Sequence, residues 1–126
     1  MIVGTEWLID AAGCDAEALG DIERLRVLFG RIIAELELQA VGEMVWHKFP
    51  PPGGVTGVVL LTESHLACHT YPEYGVATIN LYCCRERPEW PWGERLGEML
   101  GATRVSVRGL RRAAEEAQAG AGGGEA

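Results

Sequence analysis

The stretch VTGVVLLTESHLACHTYPEYGVATINLYCC, residues 55–84, contains two strand-like segments on either side of a polar connection. Residues 55–64 are β-branched and mostly apolar, which predicts a strand that is buried along much of its length. Residues 76–84 alternate apolar and polar side chains, as a half-buried strand does. Pro72 and Gly75, between the two segments, are typical of a turn. This stretch therefore predicts strand, connection and strand, and indicates a fold built around a β-sheet.

The sequence on either side of this stretch predicts helices and further strands. From residue 18 to residue 36, apolar side chains recur every three or four positions, which predicts one long amphipathic helix with Asp15 as its N-cap. Further strands are predicted at residues 4–13, 43–49 and 103–109, a short helix around residues 96–100, and a final helix over residues 110–118. The fold class is expected to be α+β: a two-layer sandwich with a mainly antiparallel sheet and helices packed on one face.

Length, charge and cysteine content restrict the class of protein. The 126 residues fit a single domain, expected over residues 1–118, with the glycine-rich residues 119–126 as a disordered tail. A net charge of −7 argues against a nucleic-acid partner, which would require basic surface. No apolar run approaches the ~20 residues that span a bilayer and no signal-like segment opens the chain, so we expect a cytoplasmic protein without a membrane partner. The four cysteines are then expected to be thiols.

Reactive side chains are concentrated in and beside the polar connection. They are Glu63, Ser64, His65, Cys68 and His69, with Cys83 and Cys84 at the end of the next predicted strand. A hairpin would bring the two groups to one end of the sheet. Such a density of imidazole, thiol and hydroxyl groups exceeds what a polar strand end requires.

Three chemistries could use this cluster. A hydrolase would pair a Ser or Cys nucleophile with His69, but the G-x-S-x-G pattern is absent. A zinc site could recruit the histidines and cysteines, yet their spacing matches none of the common structural arrangements. The third is self-processing, in which the hydroxyl of Ser64 attacks the preceding carbonyl and leaves a ketone-bearing group at a new chain terminus. That chemistry needs a Ser in a tight connection with an imidazole nearby.

The segment LLTESHLACHTYPEYGVATINLYCC, residues 60–84, resembles the signature of the prokaryotic S-adenosylmethionine decarboxylase family. These enzymes use a pyruvoyl group and supply aminopropyl groups for spermidine synthesis. Weaker similarity extends to residues 10–15, 47–59 and 107–109. The family pattern runs from ESH through HTWPE to a cysteine on the next strand. Here Tyr71 replaces the tryptophan.

The resemblance implies cleavage between Glu63 and Ser64, which would give a β chain of residues 1–63 and an α chain of residues 64–126. Ser64 would become the pyruvoyl cofactor that forms a Schiff base with the substrate. His69 would assist processing and Thr56 would support the ester step. Cys84, twenty residues after Ser64, would be the acid that returns a proton to the substrate carbon.

The resemblance also implies how the substrate is held. Glu73 would bind the ribose of S-adenosylmethionine and Phe49 would stack on its adenine, with His65 as a further substrate contact. No metal is implied. The only partners expected are the small-molecule substrate and a second copy, in a homodimer of αβ protomers with residues from both near each site.

Two other functions stay open at this stage. The family pattern has Asp where this chain has Asn80, which motivates arginine or ornithine as the substrate of the same pyruvoyl chemistry. A hypothesis of another class is a metal-binding or regulatory protein that never processes. Phe49 could also be a core aromatic, and His65 could hydrogen-bond within the turn.

Overall fold

The computed structural model describes residues 1–113. Its strands are β1 Gly4–Ala12, β2 Val45–Lys48, β3 Val55–Leu61, β4 Ser64–Tyr71, β5 Val76–Cys83 and β6 Arg104–Arg112. Its helices are α1 Ala16–Leu19, α2 Ile22–Glu35 and α3 Trp92–Leu100. The strands form one sheet in the order β2-β3-β4-β5-β1-β6, and every neighbouring pair is antiparallel. The predicted α+β two-layer class is confirmed.

One face of the sheet forms the core with the helices. Burial alternates along β3, β4 and β5, so that side chains such as Val59, Leu66 and Leu81 are buried. Helix α2 packs on this face, where the ring of Phe29 lies 4.9 Å from that of Trp46. We call the opposite side, which carries the alternate residues of the same strands, the open face. No helix within residues 1–113 has the length and apolar character needed to cross a membrane.

Strand β4 was not predicted, because its polar residues were assigned to a connection. Its inward positions Leu66, Cys68 and Thr70 are all buried, whereas the exposed His65 and His69 lie on the open face. The connection to β3 is only the two-residue turn at residues 62–63, and the turn to β5 contains Gly75 with a φ of 66°. The reactive cluster is therefore spread along a strand.

The helical predictions need two corrections. The predicted long helix is interrupted at Gly20, and Asp21 starts α2 as a second N-cap that accepts hydrogen bonds from two backbone amides. Asp15 caps only the short α1. The predicted helix over residues 110–118 is wrong at residues 110–112, which continue β6 because they pair with the start of β1. The rest of that helix and the predicted tail at residues 119–126 lie outside the described residues.

Buried Thr70 connects the sheet to the helical layer. Its Oγ1 donates a hydrogen bond to the carbonyl oxygen of Leu19, at 2.8 Å, and accepts one from the amide of Val55, at 2.9 Å. Replacing Thr70 with Val leaves both groups unpaired in the core, so Thr70→Val is expected to lower the free energy of unfolding by about 1–3 kcal/mol. Thr78→Val, at a partly exposed position of β5, is the matched control and should stay within about 0.5 kcal/mol of wild type. Urea denaturation measures both, and equal midpoints for the two variants would contradict the prediction.

Candidate active site

Ser64 lies at one end of the sheet, directly after the β3–β4 turn. It opens β4 and pairs with Cys83 of β5. The backbone amide of Cys84 donates a hydrogen bond of 3.0 Å to the carbonyl oxygen of Glu63. The carbonyl that Ser64 would attack therefore already accepts a hydrogen bond. Such a donor would stabilise the negative charge that develops on the oxygen during attack.

The structure distinguishes the two adjacent cysteines. Cys83 is buried in the core, 2% exposed, and burial raises the pKa of its thiol. Cys84 is exposed beside the Glu63 carbonyl. Cys68 is buried as well, and desolvation raises the pKa of its thiol to about 12, as for a structural cysteine. Of the three thiols near the predicted site, only that of Cys84 is open to a substrate.

A second group of predicted residues lies at the other end of β3 and β4. Thr56 and His69 are paired in the strand register, and Thr56 Oγ1 lies 3.1 Å from His69 Nδ1. Both line a pocket of about 430 Å³ together with Phe49 and Glu73. Phe49 is 49% exposed, so it is not the core aromatic that the sequence left as an alternative. The hydroxyl, imidazole, carboxylate and aromatic ring expected at the site thus meet in one pocket.

The two groups do not meet within one chain. Ser64 and His69 are five residues apart on β4, a separation of about 17 Å along an extended strand. The expectation that a hairpin would gather the cluster at one end of the sheet is therefore wrong, because β4 carries its members to opposite ends. We call the Ser64 end, with Glu63 and Cys84, the cleavage half-site, and the Thr56, His69, Phe49 and Glu73 end the binding half-site.

His65 and Asn80 lie on the open face of the sheet. The ring of His65 stacks on that of Tyr82, with centroids 5.7 Å apart. Asn80 donates a hydrogen bond of 2.8 Å to Glu6, and Arg112 donates one of 2.7 Å to the same carboxylate. These hydrogen bonds, first the one from Asn80 and then the one from Arg112, lower the pKa of Glu6, although partial desolvation opposes them. Asn80 therefore neighbours a carboxylate supplied by β1.

Sequence reasoning missed the arginines that follow Cys84. Arg85 forms a two-pronged ion pair with the side chain of Glu63, with distances of 2.5 and 3.1 Å, and this pairing lowers the pKa of Glu63. Arg85 and Arg87 line a pocket of about 840 Å³ together with Cys84. The RER run at residues 85–87 was the available signal, but only the fold places it beside residue 63.

The candidate zinc ligands are dispersed. Cys68 and Cys83 face the core, whereas His65 and His69 lie on the open face. Within residues 1–113, no group of three or more His, Cys, Asp or Glu side chains is arranged to hold a metal ion. The described residues therefore give no support to the alternative that this is a metal-binding protein.

Comparison with known proteins identifies the family to which the chain is similar. Residues 5–113 match the family model described as S-adenosylmethionine decarboxylase. A protein named S-adenosylmethionine decarboxylase proenzyme from Pelotomaculum thermopropionicum is 39% identical over 113 residues, which cover 87% of this chain and 86% of that protein. One of the same name from Geobacillus kaustophilus is 39% identical over 114 residues, 86% of this chain and 90% of that protein.

A solved structure is similar over the same region. The crystal structure of the adenosylmethionine decarboxylase from Aquifex aeolicus superposes with a TM-score of 0.73 at 28% identity, and the match covers 88% of this chain and 91% of that chain. The match to the family model spans both half-sites and all of the six strands except Gly4, the first residue of β1. This chain therefore belongs to the S-adenosylmethionine decarboxylase family.

Proposed function

We propose that this protein is a self-cleaving decarboxylase of S-adenosylmethionine whose pyruvoyl group is made from Ser64. The observation that carries the proposal is the local geometry of Ser64: it follows a two-residue turn, and the Cys84 amide holds the preceding carbonyl oxygen. An exposed thiol lies at the same place. Family membership supplies the reaction class, and the two half-sites supply the residue types that this reaction needs.

Cleavage begins when the Ser64 hydroxyl attacks the carbonyl carbon of Glu63 and the peptide bond becomes an ester. The Cys84 amide stabilises the negative charge that develops on the Glu63 oxygen. A base then removes the Cα proton of residue 64, the ester bond breaks and Glu63 leaves as a carboxylate. Water hydrolyses the remaining dehydroalanine and releases ammonia, which leaves the ketone at the start of the α chain.

The imidazole for these proton transfers comes from His69 of a second protomer. Within one chain His69 is about 17 Å along the strand from Ser64, so it cannot act on its own chain's cleavage half-site. The open face exposes apolar side chains such as Val58 and Leu60, the latter 59% exposed, which a second copy would cover. A two-fold homodimer of αβ protomers would join each cleavage half-site to the partner's binding half-site.

After cleavage, a pyruvoyl carbonyl supplies the electron sink for decarboxylation of an α-amino acid. The Cys84 thiol returns a proton to the substrate carbon that loses carbon dioxide. Phe49 offers an exposed aromatic face to the adenine, and Glu73 offers carboxylate oxygens to the ribose hydroxyls. His65, whose ring stacks on that of Tyr82, is also expected to contact the substrate.

We propose that this activity takes place in the cytoplasm and that its product serves as an aminopropyl donor for spermidine. Asn80 keeps arginine and ornithine as the alternative substrates. We expect the cleaved enzyme to release carbon dioxide from S-adenosylmethionine and not from arginine or ornithine, because the binding half-site offers an aromatic face and a carboxylate for a nucleoside. Carbon dioxide release is measured on each substrate, with Ser64→Ala as the blank. Release from arginine or ornithine alone would assign the other substrate.

A further inference from the structure

Two arginines converge on the residue whose peptide bond is cleaved. Arg85 contacts both side-chain oxygens of Glu63. The charge of Arg87 contributes, after that of Arg85, to the lowered pKa of Glu63. Both arginines line the pocket of about 840 Å³ that contains Cys84. Arg85 therefore holds the Glu63 side chain, and Arg87 lines the pocket that Arg85 and Cys84 share.

The side chain of Arg87 has a hydrogen-bond donor that is unpaired within the described residues. Its Nε is buried and finds no hydrogen-bond partner among residues 1–113. A buried guanidinium N–H without a partner is costly, so it is expected to be paired in the functional state of the protein. Glu86, Glu89 and Arg111 line the same pocket, but the side chain that forms an ion pair with Glu63 is that of Arg85.

Cleavage creates an acceptor at this position. In the elimination a base removes the Cα proton of residue 64, a Cα–Cβ double bond forms and the Cβ–Oγ bond breaks. The oxygen leaves with the electron pair and stays on the Glu63 carbonyl carbon, so Glu63 gains a second carboxylate beside the one that Arg85 already contacts. A cation close to a leaving carboxylate stabilises the charge as it develops and lowers the barrier to elimination.

We propose that Arg85 and Arg87 form a receiving site for the backbone carboxylate that cleavage creates on Glu63, and that they speed the elimination step by stabilising this leaving group. The inference rests on the proposed self-cleavage. Both arginines would contact the leaving carboxylate, and the Arg85–Glu63 ion pair holds the turn in register before the ester breaks.

The test follows processing of freshly folded full-length chains that carry Arg85→Ala and Arg87→Ala together. Elimination is expected to slow about tenfold, a smaller loss than for a fully buried oxyanion donor because the site is partly open to solvent. The ester should then accumulate, and hydroxylamine should split it to give an α chain that begins with Ser64 instead of the pyruvoyl group. Arg87→Lys, which keeps the positive charge, should keep most of the wild-type elimination rate. Arg111→Ala, which removes a cation from the same pocket on β6, is the matched control and should process like wild type.

Arg87→Ala alone, compared in the wild-type and in a Glu63→Gln background, separates the effect of the backbone carboxylate from that of the Glu63 side chain. The slower elimination should persist, because cleavage still creates the backbone carboxylate. The proposal is overturned if the double arginine variant keeps the wild-type rate without trapped ester, if its chains fold with an unchanged melting temperature but form no ester, or if Glu63→Gln suppresses the Arg87 effect. A wild-type chain that never cleaves would instead refute the proposed function.

Discussion

The Cys84→Ser protein is expected to cleave itself as wild type does but to lose decarboxylase activity by about a hundredfold or more. Serine keeps the backbone amide that holds the Glu63 carbonyl, so cleavage retains its donor. A hydroxyl is a far weaker acid than a thiol, so return of a proton to the substrate carbon slows. Gel analysis of cleavage and measurement of carbon dioxide release separate the two effects.

The neighbouring Cys83 provides the control. Its side chain is buried in the core, so Cys83→Ala is expected to lower stability while a folded sample keeps cleavage and most of its activity. The assignment of the acid to Cys84 would be wrong if folded Cys83→Ala lost activity and Cys84→Ser kept it.

His69→Ala is expected to remain a single uncleaved chain on its own and to be cleaved when it is co-expressed with Ser64→Ala. In a mixed dimer the Ser64→Ala protomer supplies His69 and the His69→Ala protomer supplies Ser64, so one complete site is formed. Random pairing of equal amounts places about half of the His69→Ala chains in such dimers, and that fraction should be cleaved. The fragments are quantified by mass spectrometry with one variant carrying a tag.

The control mixes His69→Ala with the double variant Ser64→Ala, His69→Ala, which offers no imidazole to its partner. No cleavage is expected there. Equal cleavage in the two mixtures would show that contact between copies suffices without the partner's imidazole. A His69→Ala chain that cleaves alone at the wild-type rate would remove His69 from processing.

Much of the sheet could be predicted from the sequence, because the side-chain period of β3 and β5 records which face is buried. Strand β4 could not, because His65 and His69 on its open face give it the composition of a loop. The break at Gly20 was concealed by apolar spacing that continues across it. Residues 110–112 have helix-forming side chains, but pairing with β1 decides their conformation.

The candidate residues could be identified from the motif, but not their arrangement. The sequence brings Ser64 and His69 within five positions, and only an extended β4 shows that these five positions separate two half-sites. The role of Arg85 depends on a contact across twenty-two positions, between the end of β5 and the β3–β4 turn. Local spacing carries no information about such a contact.

Intact mass spectrometry of the freshly purified wild-type protein, beside Ser64→Ala, tests the central claim most directly. We predict two wild-type fragments that divide between residues 63 and 64, the second with a pyruvoyl group in place of an amino terminus, and a single uncleaved chain for Ser64→Ala. A wild-type protein that keeps the mass of the whole chain after prolonged incubation would contradict the account.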